Sequence, residues 1–433
     1  MTQAATVTLR HGLSYGLLGL PLAFVALPLY VLLPNHYARE FGMPLATLGA
    51  VLLLARLFDA FTDPLLGRLS DRLFARSRRA VLMMGGISAL ILALGMQALF
   101  FPRVSTPEAL QYWALACLLV VYTAYSQLSI SHQSWGARLG GGELHQGRIV
   151  AWREGLGLVG VLLAAVLPSV FGLPVMIGVL AVALAVGWLA WSQAPEPQRS
   201  ETPSLTSAPR ASLWHPWRQS GFRRLLTVFM LNGIASAIPA TLVLFFIQDR
   251  LQAPAAQEPL FLGAYFLSAA LSIPLWIKAV ARWGLARTWL AGMLLAIAVF
   301  AWAAGLGQGD ITAFLIVCAL SGVALGTDLA LPSALLAGVI AKQGDQGRLE
   351  GAYFGWWNLA TKLNLALAAG LALPLLDALG YTPGGRDPEA LRTLGLAYAV
   401  LPCALKLAAA LALYFLLIRQ PQPGRHLLPK GNS

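Results

Sequence analysis

The sequence predicts an all-α membrane protein with twelve transmembrane helices in two pseudo-symmetric six-helix halves. Three observations predict it. Of 433 residues, 58% are hydrophobic and 11% are charged, against about 25% charged in an average soluble domain. Twelve apolar runs are spaced along the chain, and about 20 residues suffice to cross a bilayer. Most of the 30 Lys and Arg fall in the two ends of the chain and in alternate loops. That asymmetry places both termini in the cytoplasm and points to a bacterial inner membrane.

The first run, 13–34, follows ten polar residues and is long enough to span by itself, so no cleavable signal peptide is expected. Runs at 45–70, 80–101, 110–132, 148–171 and 174–193 complete an N-terminal half, residues 1–193. Residues 194–222, containing APEPQRSETPSLTSAPR, read as a flexible cytoplasmic linker because they are rich in Pro, Ser, Gln and Arg. A second set at 223–248, 259–280, 287–306, 311–339, 349–378 and 393–418 forms the C-terminal half, residues 223–418. Residues 419–433 are expected to be a cytoplasmic tail.

The halves repeat each other. Pro64 and Arg72 correspond to Pro274 and Arg282, and Gly147-Arg148-Ile149 corresponds to Gly347-Arg348-Leu349, at offsets of 210 and 200 residues. Parallel repeats of this kind build transporters with a central midplane site.

Composition and position exclude several functions. The net charge of +12 sits in loops of one side and forms no basic stripe interleaved with aromatics, so nucleic acid is not an expected partner. Cys117, Cys318 and Cys403 each fall in an apolar span and have no metal spacing. Gly155 to Gly160 spells G-x-G-x-x-G, but inside a span and without a preceding strand, so it reads as helix packing rather than a dinucleotide site. No nucleophile–base set stands at convincing spacing. The chain is not expected to be an enzyme, no cofactor is expected, and a monomer in the lipid bilayer is.

The second run contains the sharpest signal. Arg56, Asp59 and Asp63 sit near its middle, where an ionisable side chain costs about 2.5–3.5 kcal/mol on insertion scales. Their i, i+3, i+7 spacing puts them on one helical face. Thr62 offers a hydroxyl, and Pro64 leaves the Ala60 carbonyl without its helical donor. Two carboxylates, a hydroxyl and a free carbonyl suit Na+. Alternatively, the acids can share a proton, because burial and like charge favour the protonated form. The plainer alternative is a structural Arg–Asp pair. Gly67, Asp71 and Arg72 follow as G-x3-D-R with a basic cluster behind. This resembles the loop signature of the major facilitator superfamily, which implies a cytoplasmic gate; Arg148 and Arg348, matched to each other in the repeat, are further gating candidates.

Arg56, Asp59, Ala60, Asp63, Pro64 and Gly67 match R-x-x-D-A-x-x-D-P-x-x-G. With them the chain resembles the glycoside–pentoside–hexuronide:cation symporters, the melibiose permease group, over essentially its full length. The resemblance implies that Asp59 and Asp63 form the cation site for Na+ or H+, that Arg153 contacts sugar, and that Lys362, after EGAYFGWWNLAT, is the family's buried lysine. The family's helix 1 acid is absent from YGLLGLPLAF, His132 stands near its helix 4 acid, and its A-D-V-I-D reads Ala337-Gly338-Val339-Ile340-Ala341.

Among other polar candidates, Arg153 presents a planar donor fork, and Lys362 is too deep to snorkel and can pair with Asp59 or Asp63. His132 can read a hydroxyl or move a proton. Asp328 is a further acid at depth that can pair with Lys362. Tyr125, Trp152, Trp356 and Trp357 can line a cavity and stack on a sugar ring. The expected function is cation-coupled symport of a sugar or glycoside by alternating access. The alternatives are transport of another amphipathic solute, such as a lysolipid, or a non-transporting receptor.

Overall fold

The computed structural model describes residues 8–104, 106–198, 212–254, 257–382 and 384–419. Twelve long helices run through these residues: α1 (Leu9–Glu40), α2 (Leu45–Arg76), α3 (Arg78–Phe100), α4 (Pro107–Arg138), α5 (Glu143–Pro168) and α6 (Val170–Ser192), then α7 (Ser220–Arg250), α8 (Glu258–Trp283), α9 (Leu285–Ala303), α10 (Ile311–Lys342), α11 (Glu350–Ala378) and α12 (Pro388–Ile418). All but α2 are long and apolar enough, by length and composition, to cross a membrane. At 32 residues, α2 is as long as its neighbours and carries the three charged residues of the signature.

Local chemistry sets the helix starts. Ser77, Thr106 and Asp387 each accept a hydrogen bond from the backbone N–H three residues on (Ala80, Ala109 and Ala390), and so cap α3, α4 and α12. Pro107 and Pro388 follow two of these caps, where a missing N–H costs nothing. The chain turns between the fifth and sixth spans at Gly172, whose φ of 83° glycine adopts readily.

Each half buries its own apolar core. One cluster gathers Tyr15, Phe24, Trp135 and Trp191 from the first six helices. A second, around Trp289 and Tyr353, gathers C-terminal residues together with Ile130, Ala137 and Val150 of the N-terminal half, and a third lies around Phe246 and Tyr398. A small fourth joins Leu158 of α5 to Ala269 and Ile273 of α8. Large apolar residues such as Phe61, Leu90, Val182 and Leu271 stay exposed, as a lipid-facing surface requires.

Two seams join the halves, α2 against α11 and α5 against α8 and α10. At the first the backbones nearly touch. A Cβ on Gly67 would stand 2.1 Å from the Gly351 carbonyl oxygen, and one on Gly355 would stand 2.6 Å from that of Asp63. Polar contacts between the halves run from mid-depth to the end of the bundle where α2, α4 and α10 finish, called here the basic end.

The linker departs from expectation. Residues 199–211 lie outside the described residues, as do 420–433 of the tail, but the flanks of the linker are packed. Trp135 donates to the Pro195 carbonyl (3.0 Å) and Gln198 N–H to that of Arg138 (2.8 Å). On the other flank, Trp356 donates to the Leu213 carbonyl (2.9 Å), and a short helix, His215–Arg218, sets His215 2.9 Å from Asp345. Indole N–H groups and aromatic faces hold these flanks, and a Pro/Ser count does not register them.

Candidate functional site

At mid-depth α2, α4 and α11 converge on one ion cluster. Lys362 of α11 reaches across the seam, its Nζ 2.7 Å from Asp59 Oδ2 and 2.7 Å from Asp63 Oδ2. It also donates to Ser126 Oγ of α4 (2.9 Å), which in turn donates to Asp59 Oδ1 (2.8 Å). Asp59 and Asp63 are buried, at 3% and 0% exposure. The two acids are not equally served. Asp59 has a well-formed hydrogen bond from Ser126. Lys362 stands equally close to Asp63, and neither Asp63 oxygen has a well-formed hydrogen bond among the described residues. Two carboxylates share one ammonium, so the cluster lacks one positive charge.

The other predicted cation residues stand aside. Arg56 lies over the Tyr30 ring, 4.6 Å from its centre, rather than on an acid. The Thr62 hydroxyl turns back along its own helix to the Asp59 carbonyl (3.0 Å).

The substrate candidates divide. Tyr125 is partly buried on α4, next to Ser126 of the ion cluster. Arg153 is buried and paired with its neighbour Glu154 through both Nε and Nη2. Although adjacent helical positions point apart, this long guanidinium bends back to the carboxylate beside it. His132 packs against α1. Its Nε2 lies 2.8 Å from the Tyr15 carbonyl, the Tyr15 hydroxyl donates to the His132 carbonyl (3.1 Å), and the two rings stack at 4.4 Å. This reciprocal contact ties α1 to α4, and the ring is 0% exposed with its Nδ1 unpartnered among the described residues. We expect His132→Leu to lower thermal stability by about 1–3 kcal/mol with no change in sugar KM; a raised KM in well-folded protein would restore the binding role.

Trp152 packs its indole against α1 at Gly12, where a Cβ would come within 2.2 Å of it. Trp356 sits at the basic end, beside Trp214 and Trp217, and Trp357 stacks on Phe229 at 3.8 Å. These tryptophans hold helices and linker together and do not line a central site.

The gate is present with a different cast. Asp71 accepts from the N–H groups of Gly351 (2.7 Å) and Ala352 (2.8 Å) at the start of α11, and so caps a helix of the opposite half. Arg138 of α4 binds Asp71 (3.0 Å), Glu350 (2.9 Å) and the Gly347 carbonyl (2.6 Å). Arg72 and Arg348 are exposed, and Arg72, Arg148 and Arg348 make no ion pair among the described residues. Charge counting along the motif favoured arginines in the loops, whereas the base that works is the one buried at 3% exposure beneath them. Gly67 belongs to the same latch, through its approach to Gly351. We expect Gly67→Val to part α2 from α11 and to raise labelling of cysteines placed along the seam at the basic end; unchanged labelling would remove Gly67 from the latch.

Sequence reasoning missed Ser126, Arg138, Glu350 and Lys406. Lys406 carried a signal, a lone lysine in LPCALKLAAALAL. Asp328 pairs with it at 2.9 Å, not with Lys362 as expected, because Lys362 is spent on Asp59 and Asp63 across the seam.

A family model described as MFS/sugar transport protein matches residues 13–420. The chain belongs to that family. It is a major facilitator membrane transporter and not an enzyme. A protein of Salmonella typhimurium named "Putative sulfoquinovose importer" is 26% identical, covering 94% of this chain and 89% of that protein. The Bacillus subtilis "Uncharacterized symporter YjmB" is 25% identical, covering 87% and 85%. The fold matches the crystal structure of the E. coli fucose:proton symporter FucP (TM-score 0.68, 15% identity, 93% of this chain and 98% of that one). It also matches an outward-facing bacterial homologue of the iron transporter ferroportin (TM-score 0.68, 15% identity, 94% and 98%).

Proposed function

We propose that this MFS/sugar transport protein is a cation-coupled sugar symporter in a bacterial inner membrane, with Asp59 and Asp63 as the coupling site. The single observation that carries the reading is the shared lysine: Lys362, from one half, is the sole counter-ion among the described residues to two buried acids of the other. A proton or Na+ entering at Asp63 supplies the missing positive charge and competes with Lys362. Once Lys362 is displaced, an inter-half ion pair is broken at mid-depth. The cation thus biases the halves only because it binds the arrangement without that pair better than the one with it.

The basic end is cytoplasmic by the distribution of Lys and Arg, so the Asp71–Arg138–Glu350 latch closes the transporter to the cytoplasm and leaves it facing outward. Sugar binds between Tyr125 and the opposite half, with Arg153 and Glu154 as polar contacts on α5. The full-length likeness to a protein named for sulfoquinovose, a sulfonated sugar, favours including anionic sugars among the substrates, and Arg56, free of any acid, is the cation placed to meet one.

Counterflow in proteoliposomes tests the reading, with neutral sugars, D-glucuronate and sulfoquinovose as labelled probes, at fixed pH with and without Na+. The expected result is exchange of at least one sugar, with accumulation that follows an imposed Na+ or proton gradient. Exchange that ignores both gradients would leave a uniporter.

A further inference from the structure

The coupling site is not the only ion cluster at mid-depth. Asp63 lies 13 residues from the basic end of α2 at Arg76, and Asp328 lies 14 from that of α10 at Lys342. At 1.5 Å per residue both stand about 20 Å in. Lys362 and Lys406 each lie 12 residues from the basic end of α11 or α12. In the C-terminal half Lys406 Nζ meets Asp328 Oδ2 (2.9 Å) and Ser236 Oγ of α7 (2.8 Å), and Ser236 also donates to Asp328 (3.2 Å). Trp289 of α9 donates to the other oxygen, Oδ1, at 2.8 Å.

This is the Lys–Ser–carboxylate triangle of the coupling site with one difference that decides its use. Both oxygens of Asp328 are hydrogen-bonded and its charge is matched one to one, so a cation has nothing to neutralise. The polar capacity left over nearby is an acceptor. Asn232 is one turn from Ser236 on the same face of α7, is 3% exposed, and its Oδ1 has no partner. Asn364 of α11 packs its amide against Gly233 and also has an unpartnered Oδ1 at 4% exposure. A buried amide oxygen without a donor is costly, and the hydroxyls of a sugar are donors.

Alternating access around a midplane site requires a grip from both halves. On the N-terminal side the geometry leaves Tyr125 and the Arg153–Glu154 pair beside the buried His132, since Trp152 and Trp356 are committed elsewhere. We propose that Asn232, Ser236 and Asp328, held in place by Lys406, form the C-terminal half's subsite for the hydroxyl groups of the sugar. The inference rests on the sugar-transport reading above. Asn232, Ser236 and Asp328 are the direct contacts, and Lys406 and Trp289 are positioning residues that orient the carboxylate.

The test is counterflow with whichever labelled sugar the wild-type protein carries, in four variants: Asn232→Ala, Ser236→Ala, Asp328→Asn, and the double Asp328→Asn/Lys406→Met. Asn232→Ala and Ser236→Ala are expected to raise KM for sugar about tenfold while leaving the cation concentration for half-maximal uptake unchanged. Asp328→Asn leaves Lys406 without its counter-ion and lowers thermal stability. The double variant removes both charges and is expected to recover stability while keeping the raised KM. A double variant with wild-type stability and wild-type KM overturns the proposal and makes the pair a brace between α7, α10 and α12. A shift in cation dependence without a shift in KM also overturns it and makes the cluster a second coupling site. If the wild-type protein carries no sugar, the sugar reading falls first and this subsite falls with it. If sugar is carried and Asn232→Ala and Ser236→Ala are silent, only the subsite falls.

Discussion

Removing the charge of the coupling site, by Asp59→Asn and Asp63→Asn together with Lys362→Met, is expected to abolish sugar accumulation while the protein folds and still exchanges sugar down its gradient. The third change matters. With the acids gone, Lys362 would be a buried ammonium without a counter-ion, and breaking a buried pair from one side costs about 3–5 kcal/mol. Replacing every member by a neutral group of similar shape is often nearly neutral, so the triple variant separates coupling from folding. Accumulation ratios under an imposed Na+ or proton gradient, read beside counterflow, check the result. The ratio should fall to about one while exchange persists. Accumulation at the wild-type level would sink the assignment of Asp59 and Asp63. Loss of both accumulation and exchange in folded protein would give the lysine cluster a direct part in sugar binding.

The second large effect belongs to the latch. Asp71 holds two backbone N–H groups of α11 and the Arg138 guanidinium, and hydrogen bonds to a charged group contribute about 1.5–3 kcal/mol each. In Asp71→Asn the neutral amide keeps at most a weak acceptor toward α11 and loses its attraction for Arg138, which is left with Glu350. A loss of about 3–5 kcal/mol from one state moves a two-state equilibrium by roughly two to four orders of magnitude. Spin labels at Arg76 and Lys342, both exposed at the basic end, should therefore report a longer distance in Asp71→Asn than in the wild-type protein. An unchanged distance distribution would mean that the packing at Gly67 and Gly351 closes this end without the carboxylate.

How much of this was legible in the chain depends on the range of the interaction. The twelve spans follow from one-dimensional chemistry, because lipid leaves backbone groups to bond within their own helix and so makes length and apolarity sufficient predictors. Asp59 and Asp63 stood out for the same reason: a carboxylate costs too much at depth to be incidental. Lys406 carries that signal equally, but outside the α2 motif and without a second charge beside it in its own helix. Trp152 and Trp356 were misjudged for the opposite reason. A His or Trp offers the same ring to a sugar and to a neighbouring helix, and only the contacts distinguish the two. For Arg72 against Arg138, the motif named the acid of the latch correctly, but the base came from a helix end 67 residues away.

The sequence by itself determined that this protein spans the membrane as two repeated halves, that it carries a two-acid site in α2, and that it belongs among cation-coupled sugar transporters. The tertiary structure alone decided which base serves which acid. Lys362 crosses to Asp59 and Asp63, Lys406 stays with Asp328, and Arg138 rather than Arg72 or Arg348 closes the basic end. Periodicity and cost of burial are properties of a segment and can be read along it. Counter-ion choice is a property of the few ångströms between helices that only packing brings together.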